Sequence, residues 1–216
     1  MKKYIATVVL SMLVCLSVTA QSAKELFRAM PDSILPLLTA NNRADCTDFM
    51  DSKMKAEVTN AFKEKTVMTD MTTDYIALNL SESSKWQMKV LPLKDKTKII
   101  CIVTTVYGPV ADSRINFYTT SWQPCNTTDY MTLPVADDFF KKPLSTDEND
   151  STYNAYIKAR RICDVNLIKL ELNKIDSTLK ATYTTLEFIG KYNAKDVIPF
   201  IKESISYNWK DDRFKY

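Results

Sequence analysis

The sequence predicts an α+β fold, with N-terminal helices packed on an antiparallel β-sheet of about six or seven strands. Two observations carry this. Apolar residues recur at helical spacing from Ser22 to about Lys65 and then alternate with a period of two from Met68 onward. Helices also come first and strands later, which sorts the elements into layers and not into alternating βα units.

Ser22 stands three residues before Glu25 in a capping-box arrangement, and Leu26, Phe27 and Met30 share one face until Pro31 stops the first helix. "DSILPLL" reads as a short helical turn or loop. Asn41 or Asn42 caps a second helix, with Asp45 placed to reach back, and Cys46, Phe49, Met50, Met54, Val58 and Phe62 form its buried stripe. In the next two segments Ile76, Leu78 and Leu80 oppose Tyr75, Ala77 and Asn79, and Trp86, Met88 and Val90 oppose Lys85, Gln87 and Lys89. Each is a half-buried strand. "TKIICIVTTVY" is an unbroken β-branched run, as a central strand covered on both faces requires, and "SRINFYTTSW" completes a four-stranded meander.

Residues 123–161 read as a long excursion holding one short helix, acidic around "STDENDST". "DVNLIKLELN" and "STLKATYTT" form a hairpin that extends the sheet. The last segment begins as a short helix interrupted at Pro199 and ends in an edge strand around Ile205 to Trp209. Glycine occurs only at Gly108 and Gly190, so turns fall to Asn, Asp, Ser and Lys, and Gly-rich phosphate loops are excluded.

Residues 1–20 run from two lysines through an apolar stretch to Val18-Thr19-Ala20, the pattern of a signal peptide cut before Gln21. The apolar stretch, Tyr4 to Val18, is shorter than the roughly 20 residues a membrane helix needs. The expectation is an exported, periplasmic or cell-surface protein with one α+β domain over 21–216 and no transmembrane segment. Lipidation at Cys15 is disfavoured, because Val14 stands where a small residue is preferred. Loss of Lys2 and Lys3 takes the net charge from +3 to +1, which leaves no electrostatic footprint for nucleic acid. Cys46, Cys101, Cys125 and Cys163 remain, enough for two disulfides in three connectivities, or for buried free thiols of the kind Cys101 suggests.

The chain contains no histidine, which excludes Ser-His-Asp and Cys-His catalysis and histidine metal ligands. Asp45, Asp48 and Asp51 drift round a helix and supply too few oxygens for calcium; Asp147, Glu148 and Asp150 lack the spacing of a calcium loop. Glu171 and Asp176 form a nominal carboxylate pair with nothing to fix their separation. No metal and no cofactor is expected. Among the aromatic residues, Trp122 and Trp209 each end a strand and are the candidates for exposed binding platforms.

The stretches "FRAMPDSILPLLTANNRADCTDFMDSKMKAEVTN", "TTDYIALNLS", "MKVLP", "IICIVTTVYGP", "FYTTSW" and "PFIKESISYNWKDDRF" resemble an exported Bacteroidales family catalogued as domain of unknown function 3256, from Leu26 to Phe214. The resemblance implies an envelope compartment and supplies no activity. Envelope proteins of such bacteria are similar in carrying O-linked glycans on Asp-Ser/Thr motifs, which makes Ser33, Ser151 and Ser177 candidate acceptors, with Ser151 foremost.

The expected function is a non-enzymatic binding module that takes a protein or glycan partner on one sheet face. A carboxylate-dependent, glycan-active hydrolase would instead show a pocket with two or more acids of shifted ionisation. A structural assembly factor of the envelope would show a contiguous apolar patch.

Overall fold

The computed structural model describes residues 21–216, so the stretch expected to be a signal peptide and Cys15 lie outside the described residues. Helix α1 (Ala23–Ala29) begins with the expected capping box: Ser22 Oγ accepts from the Glu25 amide at 3.3 Å, and Glu25 Oε2 accepts from the Ser22 amide at 2.7 Å. Leu26, Phe27 and Met30 are buried, each worth about 1.5–3 kcal/mol relative to exposure. Helix α2 (Ala40–Asp51) is capped by Thr39, two or three residues earlier than expected; Asn42 closes the box and Asp45 stays exposed. Arg43, 1% exposed, ties the loop between the helices together by donating to Asp32 Oδ1 at 2.8 Å, to the Leu38 carbonyl at 2.7 Å and to the Met30 carbonyl.

The helical pattern does not run on to Lys65. The chain leaves α2 through Lys53 at φ 55° and forms β1 (Glu57–Thr59) and β2 (Lys65–Met71), which add two strands in front of the expected meander. Asn60 builds the turn between them: its Oδ1 accepts from the Phe62 and Glu64 amides, and its Nδ2 donates to the Leu80 carbonyl at 3.0 Å. Met54 and Phe62, assigned to a buried stripe by spacing, are therefore exposed.

Strands β3 (Tyr75–Ser81), β4 (Ser84–Pro92), β5 (Lys98–Tyr107), β6 (Ala111–Thr119) and β7 (Pro124–Cys125) continue a seven-stranded antiparallel sheet in sequential order. One face packs on α1 and α2 through Ile76, Leu78, Trp86, Met88, Val90, Ile100 and Ile102. The other face, with Tyr75, Ala77, Leu91, Ile99, Cys101, Val103, Ile115 and Phe117, packs on a second sheet. The unbroken run of β5 is covered on both faces, as expected. β3 and β4 are too, so Tyr75, Gln87 and Lys89, read as solvent-facing, are at most 3% exposed.

The excursion after β7 contains three helices, α3 (Thr127–Tyr130), α4 (Ala136–Phe139) and α5 (Ser151–Ile162). Asp150 caps α5 by accepting from the Thr152 amide at 2.7 Å, and Tyr156 and Ala159 bury its inner face. Strands β8 (Ile168–Leu172) and β9 (Thr178–Tyr183) form the expected hairpin. It does not extend the large sheet. With β10 (Ser204–Lys210) and β11 (Arg213–Lys215) it makes a separate four-stranded sheet in the order β11-β10-β9-β8, so β10 is an interior strand and not an edge. Helices α6 (Thr185–Phe188) and α7 (Gly190–Val197) and a single 3-10 turn at Ile198–Phe200, which contains Pro199, link β9 to β10.

An unpaired strand edge must satisfy its amides elsewhere, and the free edge of β8 does so on side chains of the large sheet. The amide of Ile168 donates to Asp112 Oδ1 at 3.1 Å, Leu170 to Ser113 Oγ at 2.9 Å and Leu172 to Gln87 Oε1 at 3.4 Å. Gln87 returns a bond to the Leu172 carbonyl at 3.2 Å. The layers thus run helices, large sheet, small sheet.

Candidate ligand-binding face

Both faces of the large sheet are covered, which leaves the outer face of the small sheet as the open one. Ile168, Leu170, Leu172, Leu179, Ala181, Tyr183, Ile205 and Tyr207 point inward and are buried. The alternate residues point outward, and cross-strand register sets them in rows: Lys169, Thr182 and Ser204, then Glu171, Lys180 and Ser206, then Thr178, Asn208 and Lys215.

Where this face meets the β5–β6 turn, a cleft of about 440 Å³ opens between Tyr107, Pro109 and Val110 on one side and Lys169, Glu171, Lys180 and Thr182 on the other. Thr184 holds the turn in place by donating to the Ala111 carbonyl at 2.6 Å. Lys169 pairs with Glu171 at 2.9 Å and lies 6.0 Å from the centre of the Tyr107 ring. A second cavity of about 620 Å³ shares Thr182 and Glu187 with the first and has an apolar floor of Leu186, Ile198 and Ile201 rimmed by Lys141, Lys202 and Glu203. Together they form a groove of mixed charge along the small sheet.

The residues chosen from sequence lie elsewhere. Trp122 is 7% exposed, not solvent-facing: its backbone turns at φ 64° and folds the ring against Tyr118 in the core on the helix side. Trp209 is half-buried and already occupied, stacked on Tyr130, in edge contact with Phe214 and donating its indole N–H to the Pro92 carbonyl at 2.7 Å. Asp48 pairs with Arg28 at 2.7 Å and Asp51 with Lys24, so these acids join α2 to α1. Among the described residues no three Cys, Asp or Glu side chains converge on a metal-sized site.

Asp176 is spent in the β8–β9 turn, accepting from the Thr178 amide at 3.0 Å, while Glu171 lies mid-strand on the outer face. The carboxyls of Glu25, Glu57, Asp95, Asp150 and Asp211 are all held below the ordinary range, chiefly by hydrogen bonds from Ser22, Lys55, Thr97, Thr152 and Lys94 respectively, and none of them lines the groove.

The four cysteines among the described residues are free thiols. Cys46 faces the helix-side core and Cys101 the opposite face of the large sheet. Cys101 and Cys125 both register on Phe117 from either side, about 10 Å apart at the usual strand spacing and beyond disulfide reach. Ser33 and Ser151 are exposed and Ser177 is half-buried in the β8–β9 turn.

The residues of the groove come from β8, β9, the β5–β6 turn, α6, Lys141 and the segment from the 3-10 turn to β10. Sequence reasoning missed them because "KLELN" and "TLKATYT" show alternation but not which strands their polar faces adjoin. The alternation of Lys169, Glu171, Lys180 and Thr182 with apolar neighbours was the available signal for an exposed face.

The fold recurs in the structure of a domain of an uncharacterized protein from Porphyromonas gingivalis W83, which is 28% identical and covers 89% of this chain and 96% of that one, with a TM-score of 0.73. No curated protein matches the sequence. The family model described as "Protein of unknown function (DUF3256)" matches residues 15–214, nearly the whole chain, and the chain therefore belongs to that family.

Proposed function

We propose that this protein is an exported, non-enzymatic binding module of the cell envelope that takes a protein or glycan partner on the outer face of its four-stranded sheet. The observation that carries the reading is the layering: helices and the small sheet cover the large sheet, and the uncovered face is polar and bears a groove. Export rests on the signal pattern of residues 1–20.

The groove has the form of a binding site: it is shallow and of mixed charge, and Lys169 occupies the carboxylate of Glu171. An apolar assembly surface receives less support, because exposed Met54, Phe62, Leu133, Leu144 and Ile175 are spread over different segments. The Asp-Ser motifs remain candidate O-glycan acceptors, with Ser151 at the first turn of α5 the leading one.

The test is a photo-crosslinking residue placed at Ser206 or, as a control, at Asp45, both exposed and both remote from the core. In native envelope extract, adducts should form from position 206 and not from position 45. Adducts from position 45 alone would transfer the binding role to the helix layer and remove the proposal.

A further inference from the structure

The outer face of the small sheet concentrates positive charge on a chain that is otherwise balanced. A fourth row, Lys210 with Arg213, joins the three already described. The strand positions of the face then carry five cations, Lys169, Lys180, Lys210, Arg213 and Lys215, against one carboxylate, Glu171, with Asp211 and Asp212 in the turn between Lys210 and Arg213. The whole sequence holds 29 basic and 26 acidic residues, so this ratio is a local segregation. Two of the five are neutralised nearby, Lys169 by Glu171 and Lys215 by Asp211, each at 2.9 Å. Lys180, Lys210 and Arg213 have no carboxylate within 4 Å among the described residues; Arg213 donates to Thr132 Oγ1 at 3.3 Å. Glu187 and Glu203 lie at the α6 end of the groove and confine the basic region to the side running from Lys180 towards β11.

We propose that this face binds an anionic polysaccharide, a specification that rests on the binding-module reading above. Between the cations stand Thr182, Ser204, Ser206 and Asn208, short side chains that both donate and accept, while the Thr178 hydroxyl is already engaged with Asp176 and Asn173. They are spaced about 4.8 Å across strands and about 7 Å along them, a lattice suited to a ligand with many hydroxyls. Charge complementarity selects carboxylated or sulfated chains among such ligands.

A protein partner would seek large apolar anchors, and every outward side chain of β8, β9 and β10 is polar. A single-stranded nucleic acid would be held through aromatic residues in series on which its bases stack. At the cleft rim Tyr107, 40% exposed, suits the face of a single sugar ring.

The test uses residues 21–216 in affinity electrophoresis through gels holding polygalacturonate, heparin, neutral dextran or poly-glutamate, with a single-stranded oligonucleotide titrated separately. Polygalacturonate or heparin should retard the protein and dextran should not. With about three unneutralised cations, affinity should fall about tenfold between 50 and 150 mM NaCl. Lys180→Glu with Lys210→Glu should cost at least tenfold. Lys53→Glu with Lys63→Glu changes the net charge equally, away from this sheet, and should leave binding intact.

Equal losses in the two double variants, preference for poly-glutamate or the oligonucleotide, or no retardation by either acidic polysaccharide would overturn the proposal. Dextran binding abolished by Tyr107→Ala would also overturn it, while leaving the face as the binding site. Failure of crosslinking at position 206 would remove the site itself, so the two failures are distinct.

Discussion

Gln87→Met tests how much one of the three side chains that accept the β8 amides contributes to the seam between the two sheets. Gln87 is 3% exposed; its Oε1 accepts from the Leu172 amide at 3.4 Å, and its Nε2 donates to the Leu172 carbonyl at 3.2 Å and to Tyr75 Oη at 2.6 Å. Methionine fills the same space without a strong donor or acceptor, so the packing persists while three buried polar groups lose a partner. Each such group costs about 1–3 kcal/mol, and the length of two of these bonds places them at the low end, giving a loss of about 3 kcal/mol. With a urea dependence of about 2 kcal/mol/M the unfolding midpoint should fall by about 1.5 M at unchanged slope. Amide exchange at Leu172 should quicken more than that at Lys169, which pairs with Thr182 inside the small sheet. A loss under about 1 kcal/mol, or equal acceleration at both amides, would refute the seam as described.

Tyr207 is 1% exposed and its hydroxyl has no hydrogen-bond partner, so Tyr207→Phe should leave stability unchanged or raise it by up to about 1 kcal/mol; a clear loss in thermal unfolding would contradict this. Near neutral pH a thiol reagent should label Cys125 alone, since burial pushes the Cys46 thiol up to about 11, Cys101 well above its ordinary value and Cys163 upward; unfolding should release four thiols, and two or none would mean disulfides. Hydrogen bonds from Lys55 and Lys65 hold the Glu57 carboxyl down at about 2, and those from Lys94 and Lys215 hold Asp211 at about 2. Because these folded values lie below the ordinary ones, their stabilising contribution is complete above about pH 5 and is lost as pH falls towards 2. A carboxyl NMR titration that found Glu57 at its ordinary 4.5 in the folded protein would refute that assignment.

How legible each part was depended on what polarity patterns report. The capping box at Ser22 and the doubly covered strand β5 could be read because local chemistry decides both. The end of α2 could not, since Val58 and Phe62 fit helical spacing and only Asn60, bonding across to the Leu80 carbonyl, reveals the hairpin. Gln87 and Lys89 were assigned to solvent because they are polar, but they are buried with partners: Lys89 meets Asp74 at 3.0 Å and the Lys174 carbonyl at 3.2 Å. Alternation reports which residues share a face, and leaves open whether a second layer covers it. For the same reason the candidate face was hidden. Lys180 and Ser206 become neighbours only through the register of β9 and β10, across a connection that includes α6 and α7.

That register and the edge of β8 together determine which surface is available to a partner. Had β8 paired with the large sheet as a further strand, Ile168, Leu170 and Leu172 would have needed another cover, and Tyr75, Ala77 and Leu91 would have lost theirs. Turning the hairpin back buries both sets against each other at the expense of an unpaired strand edge. Asp112, Ser113 and Gln87 offset that by accepting the three outward amides of β8. At the β10–β11 end Phe117, Tyr130, Trp209 and Phe214 fill the space between the sheets. With the inward positions used for packing and the free edge used for docking, the outward positions of the small sheet carry no structural duty of comparable weight. Five cations nevertheless occupy them, and three without a carboxylate partner. Like charges held on one face repel, and Lys210 stands directly opposite Arg213, so the face carries a repulsive cost that the proposed anionic ligand would relieve.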